Sequence, residues 1–310
     1  MASNIVVVNV DPGIDDAYAL IMLVSAHNAK LITLAAIVCS FGNTILLNSC
    51  RNTIRLMMVL GRPDIPVYQG VNKSLIADLH FDNYFGADGF GDAQSLPDPD
   101  MDLLKTENAA EVLYGLANSF PYQVTLINLG PLTYPATALV QHDDIPLKSI
   151  WIMGGNTTAS EEPEFNWRMD PEAAHSVLKH TKAPLYILGF DACTVVSTTT
   201  EWRTNILGAI NNYLMEFMNA AEEYALKSNT TEAWQMCDAV AVAALLYEQV
   251  NSTKSIHCGT VTLKRLDKEI ECSTRNGESV DYLMMINPFT TAHTSPESRK
   301  AAVRDKIKIY

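Results

Sequence analysis

The stretch that decides the fold is Ile5-Val-Val-Val-Asn-Val-Asp-Pro-Gly-Ile-Asp-Asp16. Its first six residues are mostly β-branched and apolar, which predicts a buried strand over residues 5–10. A Pro-Gly turn follows, and the apolar spacing over residues 15–27 predicts a helix directly after it. A strand that turns at once into a helix is typical of the units from which parallel α/β sheets are built.

The alternation of short apolar runs and longer helical periods continues outward from this stretch. We predict further strands over residues 31–38, 65–68, 124–129, 149–153, 185–188, 256–264 and 282–286. We predict further helices over residues 44–60, 109–119, 134–141, 171–180, 207–227, 238–248 and 295–306. This order indicates an α/β fold with a mostly parallel central sheet flanked by helices, a Rossmann-like open sheet. No repeat or linker divides the chain, so we expect a single domain over 1–310.

The composition limits the partners that the protein can have. Its 310 residues carry 22 Lys and Arg against 35 Asp and Glu, a formal net charge of −13, which argues against nucleic acid and anionic membrane surfaces. No apolar run reaches the ~20 residues that span a bilayer, and the N-terminus lacks the basic region of a signal peptide. The six cysteines are scattered, as is typical of reduced thiols. We therefore expect a soluble, cytoplasmic protein.

Three carboxylates, Asp11, Asp15 and Asp16, lie within six residues at the end of the first predicted strand. Ligands bind at this edge of open α/β sheets. An ordinary explanation covers two of the acids, because Asp15 can cap the helix and Asp16 favours its N-terminal dipole. The third acid has no such explanation, and like charges this close repel one another unless a cation compensates them. An all-oxygen ligand set favours Ca²⁺ or Mg²⁺ over zinc.

Other predicted strands also run into polar or glycine-rich turns. These turns are Ser40-Phe-Gly-Asn43, Gly130-Pro131 and Gly154-Gly-Asn156, and Glu164-Phe-Asn166 precedes a further predicted helix. A single asparagine in a loop is ordinarily a turn residue. Several polar strand ends at one edge instead predict one polyhydroxylated ligand held beside a metal ion.

Together these blocks resemble the nucleoside hydrolases, the inosine/uridine-type N-ribohydrolases. The resemblance rests on Asp11-Pro-Gly-Ile-Asp-Asp16, Gly42-Asn43, Met153-Gly-Gly155, Glu164-Phe-Asn166, Asp170-Pro-Glu-Ala-Ala174 and Cys237-Asp-Ala-Val-Ala241. The blocks follow the family's order from residue 5 to about residue 248. The resemblance implies Ca²⁺-dependent hydrolysis of ribonucleosides to ribose and free base in purine and pyrimidine salvage. It also implies a homodimer or homotetramer.

The resemblance further implies roles for individual residues. The Ca²⁺ ligands would be Asp11, Asp16, the Leu129 carbonyl and Asp238, and Asp11 would also be the general base on a calcium-bound water. The N-glycosidic bond would then break through an oxocarbenium-like state. Substrate would be contacted by seven residues: Asp15, Asn43, Asn156, Glu164, Asn166, Cys237 and Asp238.

The chain departs from the family's pattern at three places. Asn9 stands where the opening motif of the family carries Asp, and Cys237 stands where many members carry the His that protonates the leaving base. The stretch 84–92 also lacks the His that often contacts the base. We expect Cys237 to be mainly a packing or positioning residue, with the leaving group activated by a lid residue or water.

Some alternatives stay open at this point. Residues 75–99 lack periodicity, and the absence of EF-hand spacing favours a flexible lid over a metal loop. Trp167 and Trp234 could stack on a base or pack in the core. The rival function is a catalytically weak nucleoside- or ribose-binding protein on the same fold. The acids Asp11, Asp16 and Asp238 favour the enzyme, since a pure binder needs no general base.

Overall fold

The structure is a computed structural model that describes residues 4–76, 81–142, 144–156, 163–228 and 231–251. It also describes the backbone of five short strands at 257–258, 260–265, 268–272, 281–284 and 308–309.

A parallel sheet runs through the middle of the molecule. Seven of its strands come in succession: β1 (Ile5–Val10), β2 (Thr33–Cys39), β3 (Val67–Gln69), β4 (Leu104–Lys105), β5 (Val124–Asn128), β6 (Ser149–Met153) and β7 (Leu185–Leu188). Their order in space is β7-β6-β5-β1-β2-β3-β4, and each neighbouring pair is parallel. The chain builds outward from β1 to β4 and then returns to the other side of β1. The strand order therefore reverses between β1 and β5, where open α/β sheets bind their ligands.

Helices cover both faces of this sheet. They are α1 (Ile14–Asn28), α2 (Leu46–Val59), α3 (Ala109–Ser119), α4 (Thr133–Gln141), α5 (Phe165–Met169), α6 (Pro171–His180), α7 (Phe190–Val195), α8 (Thr200–Trp202), α9 (Tyr213–Ser228) and α10 (Cys237–Asn251). Side chains of β1 alternate between two apolar cores, as strand geometry requires. Val6 and Val8 pack with α1, α2, α9 and α10, while Ile5 and Val7 pack with α3, α4 and α6.

The remaining described strands lie at one side of the molecule or in small separate sheets. They are β8 (Thr198–Thr199), β9 (Ala233–Trp234), β10 (His257–Cys258), β11 (Thr260–Arg265), β12 (Lys268–Cys272), β13 (Asp281–Met284) and β14 (Lys308–Ile309). Strand β13 extends the main sheet in parallel beside β7, and β10 pairs antiparallel with β13. The pair β8 and β9 forms a short antiparallel ribbon.

The predicted fold class, a mostly parallel sheet flanked by helices, is confirmed. One predicted helix, 207–227, is wrong over residues 207–212. The chain instead forms a π-helical turn at Arg203–Leu207, and α9 begins at Tyr213. The cause is local: the Asn212 side chain accepts a hydrogen bond from the Met215 N–H at 2.8 Å, which caps a new helix start. The predicted helix 295–306 lies outside the described residues.

None of the helices in the described part of the chain combines the length and apolar composition needed to cross a bilayer.

Candidate active site

Asp16 closes the turn between β1 and α1. Its carboxylate accepts hydrogen bonds from the backbone N–H of Asp11 at 3.2 Å and of Gly13 at 3.0 Å. A glycine is required in this turn, because a Cβ at residue 13 would stand 2.4 Å from the Phe85 ring. The turn thereby holds the acids of the motif at the carboxyl end of β1.

Asp11 lies between the ends of β1, β2 and β5. Its Oδ2 accepts a hydrogen bond from the Asn43 N–H at 2.8 Å, whereas its buried Oδ1 has no partner. A Cβ at Gly42 would stand 1.9 Å from Oδ2, and one at Gly130 would stand 2.2 Å from Oδ1. Both glycines are therefore needed for this carboxylate to fit. A buried oxygen without a donor calls for an explanation such as an ion or a water.

Three acids approach one another closely enough to hold one ion. Asp15, Asp16 and Asp238 each offer a carboxylate oxygen, and these oxygens lie within 4.8 Å of one another. Asp238 comes from the first turn of α10, which packs against α1. In the described part of the chain this is the one such group of His, Cys, Asp and Glu side chains. It includes Asp15 and leaves out Asp11, so the ligand set implied by the resemblance stays a prediction.

The pKa values of the acids in the cluster are raised because their carboxylates are buried close to one another. Burial, with the charge of Asp16 added, raises the pKa of Asp15 to about 7, and burial raises the pKa of Asp16 to about 6. The pKa values of Asp11 and Asp238 are also raised well above the usual range, first by burial and then by neighbouring carboxylates. A cation bound among these oxygens would remove that penalty.

Asn166 ties the ends of β5 and β6 together. Its Nδ2 donates to the carbonyl of Leu129 at 2.6 Å and to the carbonyl of Met153 at 3.2 Å. The Leu129 carbonyl, a predicted ligand, therefore lies at the same edge of the sheet as Asp11. A carbonyl oxygen has two lone pairs, so it can accept this hydrogen bond and still contact a cation.

Three backbone donors hold Glu164 in place. Its carboxylate accepts hydrogen bonds from the N–H groups of Gly155 at 2.9 Å, Asn166 at 3.0 Å and Trp167 at 3.2 Å. Burial nevertheless raises its pKa. Asn156, the other predicted residue on this side, is also buried. Trp167 belongs to the apolar core, which favours the second of the two interpretations that the sequence left open.

Asn9, two residues before Asp11, belongs to a hydrogen-bonded network of uncharged side chains. The Asn9 Nδ2 donates to Asn128 at 2.7 Å, and the Asn9 Oδ1 accepts from the Ser40 hydroxyl at 2.6 Å. These three side chains link β1, β2 and β5. Sequence reasoning missed Asn128, although an amide at the end of a buried strand was a usable signal.

Cys237 lies at the start of α10 and is 7% exposed. Its hydrogen bond with the Cys193 thiol, together with burial, raises its pKa well above the usual value. Cys193 Sγ also donates to the Cys237 carbonyl at 3.7 Å. The free thiol of Cys237 therefore lies against a second free thiol, that of Cys193.

A narrow cleft lies beside the acids. It is lined by Tyr84, Phe85, Thr200, Glu222, Ala225, Leu226, Trp234, Gln235 and Met236. The segment 84–92 packs against the turn that follows β1, since the Asn52 amide donates to the carbonyl of Asp88 at 2.7 Å and a Cβ at Gly89 would stand 2.6 Å from the Pro12 carbonyl. Phe85 and Phe90 are buried. The expected mobility of this lid stays a prediction.

A parallel sheet with a group of buried acids at its switch point is typical of α/β proteins that bind a small polar ligand at this edge, and the acids could hold a metal ion there. Residues 6–304 match the family model described as inosine-uridine preferring nucleoside hydrolase, and the chain belongs to this family. The resemblance in the sequence is thereby confirmed. The protein is a nucleoside hydrolase, a hydrolase of the N-glycosidic bond of ribonucleosides.

Relatives with curated names support the same assignment. A probable uridine nucleosidase 2 from Oryza sativa subsp. japonica is 30% identical over 260 residues, which cover 79% of this chain and 74% of that protein. The pyrimidine-specific ribonucleoside hydrolase RihA of Citrobacter koseri is 31% identical over 265 residues, 81% of this chain and 82% of that protein.

Solved structures share the fold. A purine-preferring ribonucleoside hydrolase from Gardnerella vaginalis matches with a TM-score of 0.76 at 20% identity, covering 91% of this chain and 93% of that one. A plant nucleoside hydrolase matches with a TM-score of 0.74 at 23% identity, covering 97% of each chain.

Proposed function

We propose that this protein is a Ca²⁺-dependent ribonucleoside hydrolase that uses Asp11 as general base and releases ribose and free base. The observation that carries the proposal is the buried group of Asp15, Asp16 and Asp238 beside the unpartnered Oδ1 of Asp11. Carboxylates and carbonyls are hard oxygen donors, and Ca²⁺ accepts six to eight of them in flexible geometry. Ca²⁺ therefore suits a site whose protein ligands come from separate elements of the fold and which leaves coordination positions for substrate hydroxyls.

In this proposal Asp11, Asp16, Asp238 and the Leu129 carbonyl hold the ion. Asp11 would contact the ion through Oδ2, which keeps a lone pair beside the Asn43 hydrogen bond, so that Oδ1 stays free of the ion. Asp15 also offers an oxygen without a partner. Its half-buried position suits contact with a ribose hydroxyl beside the ion.

Asp11 is the residue that receives the proton of the attacking water. Its Oδ2 is fixed by Asn43, which leaves Oδ1 for this task. Bound Ca²⁺ would supply the positive charge that acidifies the water and orients the ribose hydroxyls.

The other pocket residues orient ribose and stabilise the charge that develops on it. The bond to the base breaks through an oxocarbenium-like state, which fixed negative charge favours. Glu164 supplies such a charge, because three backbone donors hold its carboxylate in place. Asn43, Asn156 and Asn166 offer amide groups to the hydroxyls.

The base occupies the cleft beside the acids in this proposal. Relatives named uridine nucleosidase and pyrimidine-specific ribonucleoside hydrolase favour uridine as a substrate. The leaving group takes its proton from a cleft residue or water, since neither family His is present.

The decisive experiment offers the purified protein uridine, cytidine, inosine, adenosine and guanosine with Ca²⁺, and measures free base and ribose. We expect equal amounts of both products from at least one nucleoside. An Asp238→Ala variant purified in parallel controls for contaminating activity and should release neither product. Binding of nucleosides without turnover would instead support the rival, a catalytically weak binding protein.

We also propose, from the sequence, one catalytic domain over 1–310, a homodimer or homotetramer, and a cytoplasmic location. The reducing compartment is supported by Cys39, Cys50, Cys193 and Cys237, which are free and buried. Light scattering on the purified protein measures the oligomeric state, and a monomeric mass would overturn that part.

A further inference from the structure

A buried ion pair lies next to the cleft, outside the acidic cluster. Arg203 Nε donates to Glu222 Oε2 at 2.6 Å, and the two side chains are 1% and 2% exposed. The Tyr18 hydroxyl donates to the same oxygen at 3.4 Å, and Trp234 Nε1 donates to Glu222 Oε1 at 2.5 Å. One carboxylate thus joins α1, the π-helical turn, α9 and β9.

A gain in stability does not explain this arrangement. Burying two charges costs desolvation that their attraction roughly balances, and apolar residues of similar volume do as well. Arg203 adds a further cost, because its Nη2 is buried without a hydrogen-bond partner while Nη1 donates to Asn219 at 2.8 Å. The ion pair instead fixes the position of the Glu222 carboxylate, and this sets the direction of each N–H or O–H group that donates to it.

The donors that it fixes belong to two aromatic rings. Tyr18 and Trp234 meet edge to face, with ring centroids 5.2 Å apart and planes at 88°. Trp234 and Glu222 both line the cleft. Because the indole N–H is tied to Glu222, the plane of the Trp234 ring is set by the ion pair.

One segment that lines the cleft leads directly into the acidic site along the chain. Gln235 and Met236, which also line it, directly precede Cys237 and Asp238. Tyr84, on the opposite lining segment, has its pKa raised by burial and then by the charge of Asp15. If the acids hold the ribose, the flat, π-bonded base extends into this aromatic cleft.

We propose that Glu222 and Arg203 are positioning residues that hold the Trp234 indole as the wall against which the nucleobase packs. The proposal rests on the proposed function for the placement of ribose at the acids. Stacking of a base on an aromatic side chain contributes roughly 5- to 160-fold to affinity. The ion pair acts only through Trp234 and does not itself touch the substrate.

The first test compares Trp234→Ala with Trp202→Ala. Trp202 is a matched control, since it is 40% exposed and its ring lies 6.0 Å from that of Trp234. We expect Trp234→Ala to raise the KM for uridine or inosine roughly tenfold while the inhibition constant of ribose stays within about twofold. Trp202→Ala should change neither value. An unchanged KM, or a parallel rise in the ribose constant, would overturn the proposal.

The second test isolates the role of Glu222 with two charge-neutral double variants, which avoid an unpaired buried charge. Arg203→Met with Glu222→Gln keeps an acceptor for the indole N–H, and Arg203→Met with Glu222→Leu removes it. We expect the Leu variant to raise the nucleoside KM roughly tenfold and the Gln variant less than about threefold. A purely structural role predicts equal values in the two variants, and that result would contradict the proposal.

A binding measurement separates this proposal from the proposed function. Uridine and inosine are titrated into Ca²⁺-loaded protein while tryptophan fluorescence is recorded. We expect saturable quenching that Trp234→Phe abolishes and Trp202→Phe preserves. This result without any turnover would refute the hydrolytic mechanism and leave the base wall standing. If the protein turns over nucleosides but quenching persists in Trp234→Phe, packing of the base against Trp234 is refuted and the hydrolytic mechanism stands.

Discussion

Asp11 has two carboxylate oxygens in different situations, and this difference underlies its proposed role. Oδ2 is fixed by a backbone N–H, whereas Oδ1 is buried and has no partner. A positioned base needs this combination, because the first contact sets its direction and the second oxygen is left to accept a proton.

We expect Asp11→Asn to keep the fold and lower kcat by roughly 10²–10⁴-fold. The amide oxygen can still contact a cation, but it cannot take the proton of the attacking water. Steady-state kinetics measures the loss, and circular dichroism with calcium titration controls for folding and ion binding. A folded variant with near-normal kcat would show that the base lies elsewhere.

Cys237 is expected to be a poor acid. Its hydrogen bond with Cys193 and its burial raise its pKa, which disfavours the thiolate that would remain after proton donation. We therefore predict small and parallel losses for Cys237→Ala on a natural nucleoside and on a nitrophenyl riboside, whose leaving group needs no proton. A loss of ~10²-fold or more confined to the natural nucleoside would identify the thiol as the acid.

At the residue scale the sequence identifies acids that are close along the chain and misses those joined only by the fold. Asp11, Asp15 and Asp16 stand out because ordinary helix capping accounts for only two of them. Glu222 and Arg203 carry no such signal, since each alone resembles a solvent-exposed charge on a helix. Only the packing of α9 against α1 shows that Glu222 and Tyr18 meet.

At the scale of elements, the turns after β1, β2 and β5 decide whether the site can form. Gly42 and Gly130 leave space for the Asp11 carboxylate from two sides. The sequence predicts these turns because Gly and Pro end the apolar runs. It does not predict the break before α9, where the Asn212 cap prevails over an unbroken helical pattern.

We expect Gly42→Ala to displace the Asp11 carboxylate and lower kcat at least ~10²-fold, comparable to removal of the base. The reason is the 1.9 Å separation between the added Cβ and Asp11 Oδ2. Gly115→Ala on α3 is the matched control, because nothing lies within 4 Å of its added Cβ. The control should retain activity and gain about 0.5–1 kcal/mol in stability. Full activity in Gly42→Ala would contradict this account of the turn.

At the scale of the whole molecule, the acids at the switch point couple folding to pH and to the ion. In the metal-free protein burial raises the pKa of Asp15 from 3.8 to about 7 and that of Asp16 from 3.8 to about 6. Between pH 3.8 and about 7 the folded state therefore binds more protons than the unfolded state. The contribution of these two groups to the stability of the folded state is therefore largest below pH 4, and it is lost as the pH rises through 6 and 7.

We therefore expect the Tm of chelator-treated protein to fall from pH 5 to pH 8. Ca²⁺ should raise the Tm more at pH 8 than at pH 5, because at pH 5 it competes with bound protons. Thermal unfolding with and without Ca²⁺ at the two pH values measures this. An equal effect of Ca²⁺ at both values would show that these carboxylates do not hold the ion.

Reconstitution of stripped enzyme tests the central claim most directly. Chelator-treated protein is assayed for release of ribose from the best substrate of the nucleoside panel while Ca²⁺ is added, and bound metal is measured by elemental analysis. We predict no turnover before addition and saturable recovery with one Ca²⁺ bound per chain. Full activity of the metal-free protein, or stoichiometric zinc in the active form, would contradict the account.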